Sequence, residues 1–163
     1  MNTDWYAIYT RSRHEKFVEG QLSRKGIETF LPLVVVPRRW SDRWKLVPLP
    51  LFSGYLFVRV GEHGFKEIFK LPGVVSLVGN QAGPLPIPEE QMRAVRIAVE
   101  SRLRCDPHPF LAEGQNVRVV RGPLQGLQGI LLRKKSCYRL VLSVELIRKA
   151  IALEIDAADV AAA

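Results

Sequence analysis

The stretch PLPLFSGYLFVRV, residues 48–60, decides how this chain is read. It is the most apolar run of a basic chain, placing Phe52, Tyr55 and Phe57 around a Ser-Gly pair, and it reads as extended. Carried through the whole stretch, strand alternation points Phe52, Leu56 and Val58 one way and Tyr55, Phe57 and Arg59 the other. Both faces then carry bulk, which a half-solvated sheet does not do. One strand can thus supply a core with one set and a docking surface with the other.

The segments on either side fit an α+β unit. WYAIYT (5–10) reads as a strand, and RHEKFVEGQLSRKG (13–26) as a helix closed by its glycine, with Phe17, Val18 and Leu22 available to face a sheet. Residues 29–60 read as extended, with WSDRW (40–44) at a hairpin tip. HGFKEIFKLPG (63–73) is a short helix, VVSLVGN (74–80) a strand, and GPLPIP (83–88) a stretch whose prolines oppose regular pairing. PEEQMRAVRIAVESRL starts a helix at Pro88, with acidic residues in its first turn and Met92, Val95, Val99 and Leu103 as its apolar stripe.

RLRCDPHPF (102–110) has the two prolines and mixed charges of a connector. The expected organisation is an N-terminal antiparallel sheet flanked by helices over 1–104, a linker over 105–110, and a small SH3-like β-barrel over 111–163. The barrel is read from the alternation in NVRVV, GILLRKK, YRLVLSVEL and KAIALEI, with turns at Gly122-Pro123, Gly126 and Gly129.

Charge narrows the function. The 163-residue chain carries a net charge of +8 and is 47% hydrophobic, enough for packed cores. Residues 1–104 hold 16 basic and 10 acidic side chains, residues 105–163 hold 8 and 6, so the excess sits in the first portion and points to a polyanionic partner. There Arg11, Arg13, His14, Lys16, Arg24, Lys25, Arg38, Arg39, Trp40, Arg43, Trp44 and Lys45 interleave cations with aromatics. Such a set serves equally as a solvated helix face with a hairpin tip, or as phosphate contacts beside rings that stack on unpaired bases.

Chemistry of other kinds finds no support. The histidines at 14, 63 and 108 are scattered, no nucleophile–base signature is present, and the glycine-rich GPLQGLQG lacks the lysine of a phosphate-binding loop. Cys105 and Cys137, 32 positions apart, have no metal-ligand spacing. No enzyme activity, metal or cofactor is expected, and with neither a leader-like apolar segment nor a run of about 20 apolar residues the expected setting is cytoplasmic.

The order of motifs resembles the NusG family of transcription elongation factors. WYAIYTRSRHEK, PLFSGYLFVRV, LPGVVSLVG and GQNVRVVRGPLQGLQGIL carry the resemblance, the last being similar to a KOW motif. It implies a monomeric factor, neither membrane-bound nor catalytic. Its N-terminal domain would bind the clamp helices of RNA polymerase, reducing pausing and termination, while its KOW barrel recruits a ribosomal protein or Rho. Residue by residue, the resemblance implies that Phe52, Tyr55 and Phe57, adjoined by Trp5 or Tyr6, form the polymerase patch. Arg11, Gln21 and Arg24 would contact non-template DNA, and Leu146 and Ile147 would lie on the barrel's partner-binding edge.

Serine at 53 stands where proline is usual. Gly64-Phe65-Lys66 replaces the His-Thr-Thr cluster of RfaH-like members, and the LIRKAIALEID ending and RWSDRWK hairpin look most like specialised UpxY-type paralogs. The alternative is a ribosome- or RNA-associated KOW-domain binding protein, which the weak basic excess after residue 105 disfavours.

Overall fold

A computed structural model describes residues 2–111 and 113–163 and divides the chain into two compact units, Met1–Glu89 and Glu90–Ala163. In the first, β1 (Asp4–Thr10) is followed by α1 (Glu15–Arg24), β2 (Glu28–Phe30), β3 (Leu33–Trp40), β4 (Arg43–Pro50) and β5 (Tyr55–Val60). A 3-10 turn, α2 (Phe65–Phe69), β6 (Val74–Leu77), β7 (Gly79–Asn80) and β8 (Gly83–Pro84) complete it. The central sheet runs β2-β5-β1-β6, with β1 antiparallel to both of its neighbours. β3 and β4 pair only with each other, as do β7 and β8.

The register explains which side chains are covered. Tyr6, Ile8, Leu56, Val58 and Val60 project to one face, where they pack with Val18 and Leu22 of α1 and Ile68 of α2. Glu15, Val18 and Leu22 are the buried stripe of α1, repeating at the helical period. Phe17, expected to face the sheet, lies off that stripe and is exposed, its ring edge-to-face with His14 at 6.3 Å.

The second unit holds most of α3 (Glu89–Glu100), then β9 (Cys105–Pro109), β10 (Gln115–Val119), β11 (Gln128–Lys134), β12 (Cys137–Val144), β13 (Lys149–Ile155) and β14 (Val160–Ala162). Its sheet has the order β14-β10-β11-β12-β13-β9, in which β10 to β14 follow the strand order of an SH3-like barrel. Every pairing is antiparallel.

Three expectations are corrected here. Residues 105–110 are not a free linker, because Cys105–Pro109 is an edge strand in register with Lys149–Leu153. Pro107 and Pro109 are tolerated there, since an edge strand does not need every N–H in the ladder. The compact units also divide at Glu89/Glu90 rather than at residue 104. The Gln91 side chain accepts the Glu145 N–H at 3.1 Å and Cys105 Sγ lies 3.6 Å from the Ala98 carbonyl, tying α3 to the β-rich unit. Finally, α3 ends at Glu100, which leaves Leu103 exposed and off the stripe of Met92, Val95 and Ala98.

Candidate functional site

The sheet face opposite α1 and α2 is laid out in cross-strand rows. Trp5 lies opposite Arg59, which is opposite Glu28; Ala7 lies opposite Phe57, which is opposite Phe30; Tyr9 lies between Tyr55 and Ser76. The middle row is closed. Phe57 is fully buried, stacked on Phe30 at 6.3 Å between ring centroids and met edge-on by Phe52 at 5.9 Å. Trp5 is also buried, with the Arg59 guanidinium 5.9 Å from its ring.

The third row is open. Tyr9 is 42% exposed, Tyr55 half-buried, and their rings are 5.3 Å apart and tilted by 47°. With Ser76, Leu77, Val78, Gly79 and Asn80 they line a shallow groove of about 390 Å³. Burial raises the Tyr55 phenol above its ordinary value, and the neighbouring Tyr9 adds to the effect.

The turn that delivers Tyr55 is fixed on two sides. Gly54, at φ +86°, adopts a left-handed conformation that few other residues tolerate, and a side chain there would meet the Tyr9 ring at 3.4 Å. Its carbonyl accepts the Thr10 N–H at 2.8 Å, and its N–H donates to Glu15 Oε1 at 3.2 Å. Glu15 is a buried carboxylate at the start of α1, so helix and turn are locked together.

This geometry revises the expected patch. Phe52 precedes the strand, inside the turn closed by the Tyr55 N–H to Phe52 carbonyl bond, so alternation does not reach it, and its ring sits on the Phe57 side. Phe52, Phe57 and Trp5 are all buried, which removes them as direct contacts in this structure. Tyr6 leaves the patch altogether: it belongs to the helix-covered face, edge-to-face with Phe65 at 4.9 Å. Tyr9 was missed, although the parity of 5, 7 and 9 along β1 places it beside Tyr55.

The basic residues are more dispersed. Gln21 and Arg24 lie three positions apart on α1, half-buried and exposed respectively, while exposed Arg11 sits in the loop before the helix. Arg24 closes α1, a helix about 15 Å long, whereas Arg11 lies ahead of its first residue. In the β-rich unit Leu146 is half-buried, but Ile147 is a core side chain, 6% exposed, in the 3-10 turn between β12 and β13. Ile147 is therefore withdrawn from the partner-binding edge.

Residues 3–96 match the family model described as transcription termination factor nusG. The chain belongs to the NusG family. It is similar to the transcription termination/antitermination protein NusG of Campylobacter jejuni, 28% identical over 138 residues and 78% of either chain. The Borreliella burgdorferi protein of the same name is 24% identical over 182 residues, 96% of either chain. A solved structure concerned with domain interaction in Thermotoga maritima NusG aligns over 98% of this chain and 97% of its own, with a TM-score of 0.58 at 19% identity. That likeness covers both units and carries the α+β fold, a flanked sheet followed by a β-rich unit of NusG type. No helix of the described residues is long and apolar enough to cross a membrane.

Proposed function

We propose that this NusG-family chain is a transcription elongation and antitermination factor whose N-terminal sheet holds the clamp helices of RNA polymerase. The observation that carries the reading is the open Tyr9–Tyr55 row at the end of an otherwise buried aromatic face, in the unit that matches the family model. A helix can lay apolar side chains into a shallow groove, and two tyrosines offer large rigid contact area with few rotamers to freeze. Phe57, with Phe52 against it, fills the adjoining row of the same face and Trp5 the row beyond, all of them buried.

The effect on transcription is a population shift. A factor that binds the closed, elongating clamp tenfold more tightly than an open, paused one biases that equilibrium by about 1.4 kcal/mol. Arg11, Gln21 and Arg24 steady displaced non-template DNA from the α1 side, and Leu146 marks the edge where a ribosomal protein or Rho docks. The hairpin and the LIRKAIALEID ending favour a specialised paralog over the housekeeping factor. The setting is cytoplasmic, and the chain acts as a monomer.

The test is elongation on paused templates in vitro, with wild type and a Tyr9→Ala, Tyr55→Ala variant, alongside co-precipitation of polymerase. The wild type shortens pauses and retains polymerase, while the variant, its melting temperature little changed, loses both. Polymerase retention undiminished in the folded variant would remove the docking assignment.

A further inference from the structure

The β3–β4 hairpin is the feature that the docking face does not absorb. It is eight rungs long, from Leu33–Pro50 to Trp40–Arg43, and its tip is the two-residue loop Ser41-Asp42, with Ser41 at φ +50°. At about 3.4 Å per rung it is a ribbon roughly 25 Å long. Its base is anchored: the Leu51 N–H donates to the Pro32 carbonyl at 2.8 Å, and Lys16 Nζ donates to the Pro48 carbonyl at 2.7 Å. Beyond that base its strands pair only with each other, and every residue from Pro37 to Leu46 is exposed.

Register fixes what the free end presents. Cross-strand partners share a face, so Trp40–Arg43 and Arg38–Lys45 lie on one side, and Arg39–Trp44 on the other. Lys45 Nζ stands 5.3 Å from the centre of the Trp40 ring, confirming that those two groups share a side. Trp40 is 60% and Trp44 69% exposed. Four cations face one carboxylate, Asp42, between residues 38 and 45, and among the described residues none of Arg38, Arg39 or Arg43 makes an ion pair.

We infer that this hairpin is a binding arm for an unpaired nucleic-acid strand, stacking bases on Trp40 and Trp44 while Arg38, Arg39, Arg43 and Lys45 hold the flanking phosphates. An indole ring with an uncompensated cation on the adjacent strand pairs one stacking platform with one phosphate contact, which is the unit that single-strand sites repeat. Both sides of the ribbon carry that unit. Duplex bases already stack on one another and leave no face for an indole, whereas every unpaired base offers one to an exposed ring. Recognition is therefore expected to tolerate sequence. The inference does not rest on the α1 residues or on the polymerase face.

The test measures affinity of the full chain for oligo-dT, oligo-rU and a duplex of equal length at graded salt, following tryptophan fluorescence. Trp5 is buried, so the quenching reports on Trp40 and Trp44. Wild type is expected to bind single strands at least tenfold more tightly than duplex and to be quenched on binding. Each stacked base contributes roughly five- to a hundredfold in affinity, so Trp40→Ala, Trp44→Ala loses at least that factor while keeping its salt slope. Arg38→Gln, Arg39→Gln, Arg43→Gln flattens the slope of log K against log salt by about 2.

Binding of either single strand sustains the inference, and the dT and rU arms identify which nucleic acid is preferred. Equal or tighter duplex binding overturns it. So does an unchanged affinity in the double tryptophan variant, which would leave Trp44, Leu46 and Val35 as a protein-facing stripe. Tyr9→Ala, Tyr55→Ala should bind oligonucleotides like wild type, which keeps failure here separate from failure of the docking reading.

Discussion

Gly129 offers the sharpest test of the β-rich unit. It lies in β11 with no unusual dihedral, so its role is not to turn the chain, contrary to the turn expected from sequence; what it supplies is closeness. A Cβ built there would stand 2.5 Å from the Val141 carbonyl oxygen of β12, 3.0 Å from Leu140 Cδ1 and 3.1 Å from Leu142 Cδ2. Ordinary contact begins at 3.4 Å, and a backbone carbonyl in a ladder cannot swing aside as a side chain can. Gly129→Ala must therefore part β11 from β12 beside the Ile130–Val141 rung. Overpacking costs about 1–3 kcal/mol, and two strained ladder hydrogen bonds add about 1 kcal/mol together, for a total near 3 kcal/mol. In a unit of this size that lowers Tm by about 12–24 °C. Gly122→Ala is the control: nothing lies within 4 Å, and only the φ of +91° penalises a side chain, at about 1 kcal/mol or roughly 5 °C. Circular-dichroism melts of the two variants should separate clearly. If Gly129→Ala melts within about 2 °C of wild type, the close approach does not govern stability and the reasoning fails.

Three further outcomes follow from the same structure. Glu15→Ala strands the buried Gly54 N–H and should cost about 1–3 kcal/mol in urea unfolding, whereas Glu15→Gln, which keeps an acceptor, should cost less; equal stability of all three proteins would contradict the lock between α1 and the turn. Phe57→Ala removes a fully buried ring and should destabilise by about 3–5 kcal/mol, so a polymerase defect in that variant would report folding; a wild-type melt would show that the buried middle row is not structural. Cys105 is held by burial, and secondarily by Asp106, at about 11 against an ordinary 9.0. The folded state keeps a proton that the unfolded state releases between those values, so this contribution is intact below pH 9.0 and is lost as pH rises through about 11. Urea melts across that range should fall less steeply in Cys105→Ala than in wild type, and a parallel fall would rule the thiol out as a source.

Much of the architecture is legible in residue order because local patterns agree with the tertiary result. Val18 and Leu22 repeat at the helical period, Leu140, Leu142 and Val144 alternate as a strand, and WSDRW closes the hairpin where expected. Two of the differences have one cause, which is that neither alternation nor helical period carries across a break in the element. Phe52 lies before the turn that opens β5, so the alternation of that strand does not set its face, and Leu103 lies beyond the end of α3 at Glu100. β9 was hidden because Pro107 and Pro109 suit a loop and an edge strand equally, and only the partner β13 distinguishes the two. The proposed docking patch is half legible: aromatic identity marks Tyr55 and Phe57 alike, but which ring stays open depends on neighbours that no local pattern names.

The self-paired hairpin also bears on how such a chain can change over time. Because β3 and β4 pair with no other strand, rungs can be added to or removed from the middle of the arm without disturbing the packed sheet. Each extra rung lengthens the arm by about 3.4 Å and exchanges the two sides of everything beyond it. Changes by two rungs alter reach alone, whereas a change by one carries Trp40 to the side now held by Trp44. Arm length among relatives should therefore vary in pairs of rungs wherever the side presented matters, making reach an adjustable dimension that evolves apart from the core.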